Sequence, residues 1–281
     1  GVVGLKTHAK TILVVRQEVE GLKCYAHIGT GNYNSGTSRF YSDFGLLTAN
    51  DAITSELVEF FHFLTGRSLK SNYQNLLIAP INMFSRFKQM IQREAENAKL
   101  GKPAQIVAKF NSMEENEITM ALYEASRAGV KIDLVVRGFC CVRPGVEGQS
   151  QNINVTSIIG RYLEHSRLFY FRNGSADPLD GEFYIGSADW MYRNLHGRVE
   201  AIVPIFDRKL KEKLWETLQL CVNDQRQAWV MKPDGSYVKR DQNEVGIHEK
   251  LMQIARQSVQ PLEEKLQSTP LPEVEKVTDK N

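Results

Sequence analysis

The sequence of 281 residues is short of cysteine, with only Cys24, Cys140, Cys141 and Cys221. These are too few for a disulfide scaffold, and none forms the paired CxxC spacing of a zinc site. Sparse cysteine fits a reduced, cytoplasmic setting. Long apolar runs are also missing. The longest, around Thr11–Val15, is strand-length and far from the ~20 residues of a membrane span. Net charge is nearly absent: 35 Lys and Arg against 33 Asp and Glu leave +2, which argues against a dedicated nucleic-acid binder. With 20 Gly, 9 Pro and 42% hydrophobic residues, the composition excludes a collagen-like or largely disordered chain. The chain opens Gly1-Val2-Val3-Gly4, with neither an initiator Met nor the basic and apolar regions of a signal peptide, and so reads as a fragment.

What is present is unevenly spread. Residues 127–172 hold seven Arg or Lys against three acids, whereas 258–281 hold three Lys against five acids. A locally basic surface suits an anionic ligand. The length allows roughly two domains with enough buried surface to need no staples. Lys10–Arg16 and Cys24–Gly29 read as a hairpin, and Phe40–Leu47 as a third strand. Asn50-Asp51 caps a helix over Ala52–Leu64, and a second amphipathic helix runs from Ile81 to Ala98. Its stop at Leu100-Gly101-Lys102-Pro103 is the expected domain boundary. Gln105–Phe110, Asn116–Ala128 and Val130–Val136 have a strand–helix–strand rhythm. A Gly/Asn/Gln-rich loop follows at Gly145–Asn154, then strands at Leu168–Phe171 and Glu182–Ile185. Lys209–Asn223 reads as a helix, Ala228–Tyr237 as a hairpin and Val245–Gln257 as a terminal helix. Ser268–Asn281 reads as disordered.

One pattern occurs twice. His8-Ala9-Lys10, a strand and Ile28-Gly29-Thr30-Gly31-Asn32 are matched by His165-Ser166-Arg167, a strand and Ile185-Gly186-Ser187-Ala188-Asp189. Twenty-four residues separate His8 from Asn32, and likewise His165 from Asp189; the two copies are offset by 157. A duplicated fold could keep strand and turn without function, but it has no structural need to keep a histidine and a cation in both copies. In H-x-[K/R] on an extended segment, the imidazole and the cation point to the same face. That places a nucleophilic or proton-transferring nitrogen beside a fixed positive charge, as chemistry at a phosphate requires. Two such half-sites facing each other would let one histidine attack phosphorus while the other serves the leaving oxygen. Asn32 and Asp189 are the expected orienting or phosphate-binding groups. Asp43, two residues from Tyr41 on the same strand face, is a further partner for a histidine.

The duplicated arrangement resembles the phospholipase D-like fold. It departs from that superfamily's H-x-K-x4-D motif, because Val15 and Arg172 stand where each acid belongs and Arg167 replaces Lys. The departures resemble one branch, the large histidine-phosphorylating polyphosphate kinases of bacteria. The matching stretches are GLKTHAK (Gly4–Lys10), HIGTGNYN (His27–Asn34), RFYSDFGLLTA (Arg39–Ala49), LVVRGFCCVRPGVEG (Leu134–Gly148), RYLEHSR (Arg161–Arg167) and IGSADWMYRNL (Ile185–Leu195). The resemblance implies an α/β fold of duplicated phospholipase D-like sandwich domains with an incomplete first copy. The expected divisions are 1–99, the back of the first domain; 100–257, the second domain; and 258–281, a disordered tail. It also implies reversible transfer of the ATP γ-phosphate to inorganic polyphosphate. His8 becomes the phosphorylated nucleophile, Tyr41, Arg137 and His165 the ATP contacts, and His165 also a general acid. Lys10, Arg137 and Arg167 would neutralise phosphate charge. Mg²⁺ is implied, with ligands in an N-terminal part outside this chain. A homo-oligomer is implied too, with no nucleic acid, no transmembrane segment and a cytoplasmic location that admits peripheral membrane association.

Two other functions fit parts of the pattern. A phosphodiesterase acting on lipid or DNA would share the fold but should carry the missing acids. A polyphosphate-binding fragment without turnover would keep the sites yet lack, ahead of His8, the counterpart of the strand–helix–strand unit that precedes the second histidine. Among the other residues, His27 divides between site and structure, and His62 reads as packing beside Phe60, Phe61 and Phe63. Trp190 reads as packing and Cys140-Cys141 as buried small hydrophobes. His196 and His248 have no evident partner in the sequence.

Overall fold

A computed structural model of the chain describes residues 1–67 and 72–268. The first copy contains β1 (Lys6–Thr7), β2 (Thr11–Glu18), β3 (Gly21–Gly29), β4 (Tyr41–Ser42), β5 (Gly45–Thr48) and α1 (Asp51–Leu64). Next come β6 (Leu77–Ala79), α2 (Met83–Lys99), β7 (Gln105–Phe110), α3 (Asn116–Arg127), β8 (Lys131–Val136) and β9 (Ile153–Ile158). The second copy of the repeat is β10 (Leu163–Glu164), β11 (Leu168–Phe171), β12 (Glu182–Gly186), α4 (Tyr192–His196), β13 (Arg198–Ile205) and α5 (Arg208–Asn223). β14 (Ala228–Met231), β15 (Tyr237–Lys239) and α6 (Ile247–Ser268) complete the described chain.

A mixed sheet of ten strands runs β1-β13-β12-β11-β7-β8-β9-β14-β15, with β6 also paired to β13. β7, β8 and β9 are parallel; β11, β12 and β14 join antiparallel. Side chains alternate across it. Ile106, Ala108, Phe110 and Phe169 pack under α2 and α3, beside Phe87, Met90, Ile118 and Leu122. Val107, Tyr170, Val199 and Val203 face the opposite layer, with Leu57 and Phe60 from α1 and Leu214 and Leu218 from α5. Ala26 and Ile28 from β3 enter that same cluster, so the two copies share one core. Helix starts follow local chemistry: Asn50 accepts from Ala52 N at 3.0 Å, and Asp207, 157 residues later, accepts from Leu210 N at 3.0 Å.

The repeat offset holds at the level of hydrogen-bond register. Lys6 and Thr7 pair in parallel with Arg198 and Val199. Leu163 and Glu164, 157 residues on, pair in parallel with Tyr41 and Ser42, which lie 157 before Arg198 and Val199. Each copy's histidine-bearing segment therefore docks on a strand of the other copy.

Several expectations change. The helix stop at Leu100-Gly101 is real, with Gly101 at φ +69°, but packing does not break there. β6 and α2 lie before it and belong to the large sheet and its core, so residues 1–99 are not a unit apart from 100–257. Phe40–Leu47 is two short strands rather than one. The polar Gly145–Asn154 loop ends in β9, and β13 and β6 went unread in the sequence. Cys140 is half-buried and Cys141 exposed, so they are not a buried pair. α6 continues helical to Ser268, against a disordered reading from 258; residues 269–281 lie outside the described residues.

Candidate active site

β1 ends after two residues, and the backbone N–H groups of His8 and Ala9 both donate to Val199 O, at 2.8 and 3.0 Å. This seats the His8 imidazole over β13, next to Glu200. His8 Nδ1 lies 2.9 and 2.8 Å from the two Glu200 carboxylate oxygens. Glu200 is fully buried and also accepts from Asn194 Nδ2 at 2.7 Å and from Ser187 Oγ. A carboxylate accepts hydrogen bonds only, so this network assigns the imidazole proton to Nδ1 and leaves the lone pair on Nε2. Lys10 Nζ points at that Nε2 from 2.8 Å and donates to His8 O at 2.6 Å.

The second half-site repeats the plan with the copies exchanged. His165 N donates to Ser42 O at 3.3 Å, and His165 Nδ1 lies 2.9 and 3.0 Å from the Asp43 carboxylate oxygens. Thr30 Oγ1 donates to Asp43 at 2.6 Å, as Ser187, its counterpart 157 residues later, does to Glu200. Arg167 Nη1 contacts His165 Nε2 at 3.1 Å and donates to His165 O at 2.7 Å, taking the place that Lys10 has at His8. Asp43 and Glu200 are themselves 157 apart. Each histidine is thus oriented by the acid of the other copy.

Two expected orienting groups do something else. Asp189 accepts from Arg167 Nε at 3.1 Å and from Asn111 N at 2.8 Å, so it positions the cation rather than an imidazole. Asn32 lines a cavity of about 300 Å³ with His27, Tyr33, Tyr41 and Asp43, while Glu200 takes the orienting place at His8. The Tyr41 ring packs 4.9 Å from the His165 imidazole. Arg137 Nε donates to Glu164 O at 3.0 Å, which places the guanidinium beside the His165 segment.

Below that segment lies a buried charge network that the sequence did not suggest. Lys109 Nζ sits 2.9 Å from Glu164, donates to Ser166 Oγ at 2.7 Å, and shares Glu164 with His248 Nε2 at 2.6 Å. Burial alone would raise the Glu164 carboxyl, but Lys109 and the His248 hydrogen bond outweigh it and bring it to about 2. Glu164 is therefore ionised, and the residues flanking His165 are held from both sides.

The electrostatics favour an anion. Burial is the main cause that lowers the Lys10 ammonium to about 8; Glu200 works against it and Arg167 adds to it. His165 is lowered from its ordinary value first by burial, with Arg167 and Lys10 adding and Asp43 opposing. Arg137 is lowered by burial and then by Arg167. Lys10 is 4% exposed and Arg167 2%, yet among the described residues Lys10 has no carboxylate salt bridge. A desolvated cation without an acid partner is costly until an anion arrives. No group of three or more His, Cys, Asp or Glu among the described residues could hold a metal ion. Glu200, Asp43 and Asp189 are each committed to His8, His165 and Arg167. These residues do not fit a Mg²⁺ site.

Sequence reasoning missed Glu200, although the signal was present: adding the repeat offset to Asp43 lands on it. No helix among the described residues is long and apolar enough to cross a membrane.

The profile of the polyphosphate kinase C-terminal domain 1 matches residues 1–70, and that of C-terminal domain 2 matches residues 76–250. A polyphosphate kinase of Synechocystis sp. is 55% identical over 240 residues, covering 85% of this chain and 32% of the relative. A polyphosphate kinase of Pseudomonas aeruginosa is 50% identical over 237 residues, covering 84% of this chain and 34% of the relative. The crystal structure of a polyphosphate kinase from Porphyromonas gingivalis superposes with a TM-score of 0.82 at 35% identity, over 95% of this chain and 40% of that one. The chain thus spans about a third of the length of the curated relatives it matches. With both family profiles matched in order along it, the chain belongs to the polyphosphate kinase family.

Proposed function

We propose that this chain carries the phosphoryl-transfer centre of an enzyme that moves the γ-phosphate of ATP to inorganic polyphosphate, reversibly, through a phosphohistidine on His8. The observation that carries the reading is the pair His8 and Lys10. A lone pair on Nε2, set by Glu200, stands beside a buried ammonium that lacks an acid partner.

In the forward direction the His8 Nε2 lone pair attacks the γ-phosphorus. The Nε2–P bond forms as the bond to the bridging oxygen breaks, and that electron pair leaves on ADP. Glu200 keeps the Nδ1 proton in place and balances the charge that grows on the imidazole. Lys10 and Arg167 neutralise the equatorial oxygens, and Arg137 faces the ADP phosphates beside them. His165, aimed by Asp43, hydrogen-bonds the leaving oxygen. A terminal polyphosphate oxygen then attacks the same phosphorus and Nε2 departs, which regenerates His8. By microscopic reversibility the steps run backward through the same contacts. The described residues do not supply a magnesium site, so the Mg²⁺ expected from the family would be held elsewhere or by the nucleotide's own phosphates. No step here depends on it.

The test is labelling of the intact enzyme that contains this segment with γ-labelled ATP. An acid-labile phosphoenzyme is expected in the native protein and none in His8→Gln. Label that persists in His8→Gln would sink the assignment.

A further inference from the structure

Of the paired groups around the two histidines, one pair differs in charge. His8 and His165, Lys10 and Arg167, Thr30 and Ser187, and the exchanged acids Asp43 and Glu200 match in kind across the 157-residue offset. Asp189, however, is matched by the neutral Asn32. The difference falls on the two cations. Arg167 and Asp189 are both buried, and Arg167 Nε meets Asp189 Oδ1 at 3.1 Å. Asn111 N, just past β7, donates to the same oxygen at 2.8 Å, so the carboxylate is fixed by the large sheet as well as by its cation. In the first half-site Asn32 is exposed, and among the described residues Lys10 has no carboxylate salt bridge. At the phosphorus, one half-site therefore offers an uncompensated ammonium and the other a closed ion pair.

The difference matters because His165 is itself built as a nucleophile. Asp43 holds its Nδ1 at 2.9 and 3.0 Å, which leaves the lone pair on Nε2, and burial favours the neutral ring. With ADP gone, that lone pair faces the phosphoryl group on His8. Migration between the rings needs no further reagent: a His165 Nε2–P bond forms as the His8 Nε2–P bond breaks, and that electron pair returns to His8. The phosphoryl group is an anion and settles where positive charge is least compensated. Arg137 stands close enough to Arg167 to be lowered by it. Without Asp189, the second half-site would set two guanidiniums against the single ammonium of the first. We propose that Asp189 makes the half-sites unequal: by neutralising Arg167 it retains the phosphoryl group on His8 and keeps His165 free to serve the leaving oxygen. The inference rests on the proposed phosphohistidine and adds why one of two similarly built histidines carries it. Asp189 acts through Arg167, as a positioning residue.

The experiment labels the intact enzyme to completion with γ-labelled ATP and divides the label between His8 and His165 by alkaline digestion and mass spectrometry. One opposite charge within a few Å shifts a group's ionisation equilibrium by about 10- to 10³-fold, so Asp189→Asn should raise the His165 share at least about tenfold over the native background. Arg167→Gln combined with Asp189→Asn removes both charges together and should return the label to His8, which a purely structural loss would not do. Lys10→Met removes a buried cation that has no acid partner, so the fold tolerates it; labelling should slow and the His165 share should rise as in Asp189→Asn. Label confined to His8 in folded Asp189→Asn, or lost from both histidines there, would overturn the proposal. So would label that stays on His165 in the double variant. Where Asp189→Asn does not fold, Lys10→Met decides, and label confined to His8 in it would overturn the proposal. Absence of label from His8 in the native enzyme would instead refute the phosphohistidine reading, and this inference with it.

Discussion

Replacing Glu200 by Gln is the most informative single change, because it alters one oxygen and no volume. In the native site the buried carboxylate receives His8 Nδ1–H, Asn194 Nδ2–H and Ser187 Oγ–H. A glutamine amide offers one acceptor oxygen and must direct its NH₂ at one of those three donors. Pointed at Asn194, it requires that amide to turn over and present its Oδ1, which has no partner in the native site. Pointed at His8, it forces the proton onto Nε2 and removes the lone pair that attacks phosphorus. Either outcome also removes the negative charge that balances the imidazole as it becomes phosphorylated. In serine proteases the same acid-to-amide change behind the catalytic histidine lowers turnover by about 10⁴-fold through the wrong tautomer. A loss of roughly 10³–10⁴-fold in the rate of phosphoenzyme formation is therefore expected for Glu200→Gln in the intact enzyme. Rapid-quench labelling with γ-labelled ATP reads that rate, and ¹⁵N shifts of the His8 ring read the tautomer. A variant that labels within about tenfold of the native rate with Nδ1 still protonated would refute the orienting role.

Further outcomes follow from the same geometry. Burial brings the Lys10 ammonium down to about 8, and a bound anion favours its ammonium form. Tripolyphosphate affinity should therefore be full below pH 8 and fall as pH rises through it, by up to about tenfold per pH unit for this one proton; a flat profile from pH 6.5 to 9.5 would contradict that. In Gly31→Ala the new Cβ would stand under 3.0 Å from the Asp43 side chain. The carboxylate must then leave His165, and the labelling rate should fall while thermal stability changes little; an unchanged rate would show that Asp43 does not aim His165.

The histidine pairs were legible because the chemistry and the spacing are carried together: strand, turn and small-residue loop have the same length in both copies. Glu200 was harder to see. It lies in β13, where a charged residue interrupts an otherwise apolar run, and it replaces Asp with Glu, so a search for a repeated residue type passes over it. Its meaning also depends on an exchange between copies that no local pattern encodes. The same non-locality hid the true grouping of α2. Gly101 ends the helix by a local rule, but Phe87 packs on Phe169 and Phe171, more than 80 residues away. β9 escaped because INVTSI carries Asn154, Thr156 and Ser157 and follows directly on a polar loop, so neither the continuous apolar run of a doubly buried strand nor a clean alternation marks it. His248 found its partner only when α6 folded back to Glu164.

The central claim is that His8 Nε2 takes the phosphoryl group within a site built from both copies. Mapping the label in the native intact enzyme tests it most directly: digestion under alkaline conditions after brief exposure to γ-labelled ATP, followed by mass spectrometry. The label should fall on the peptide containing His8, attached at Nε2, and nowhere else. A label on His165 or His27, or one attached at Nδ1 of His8, would contradict the account.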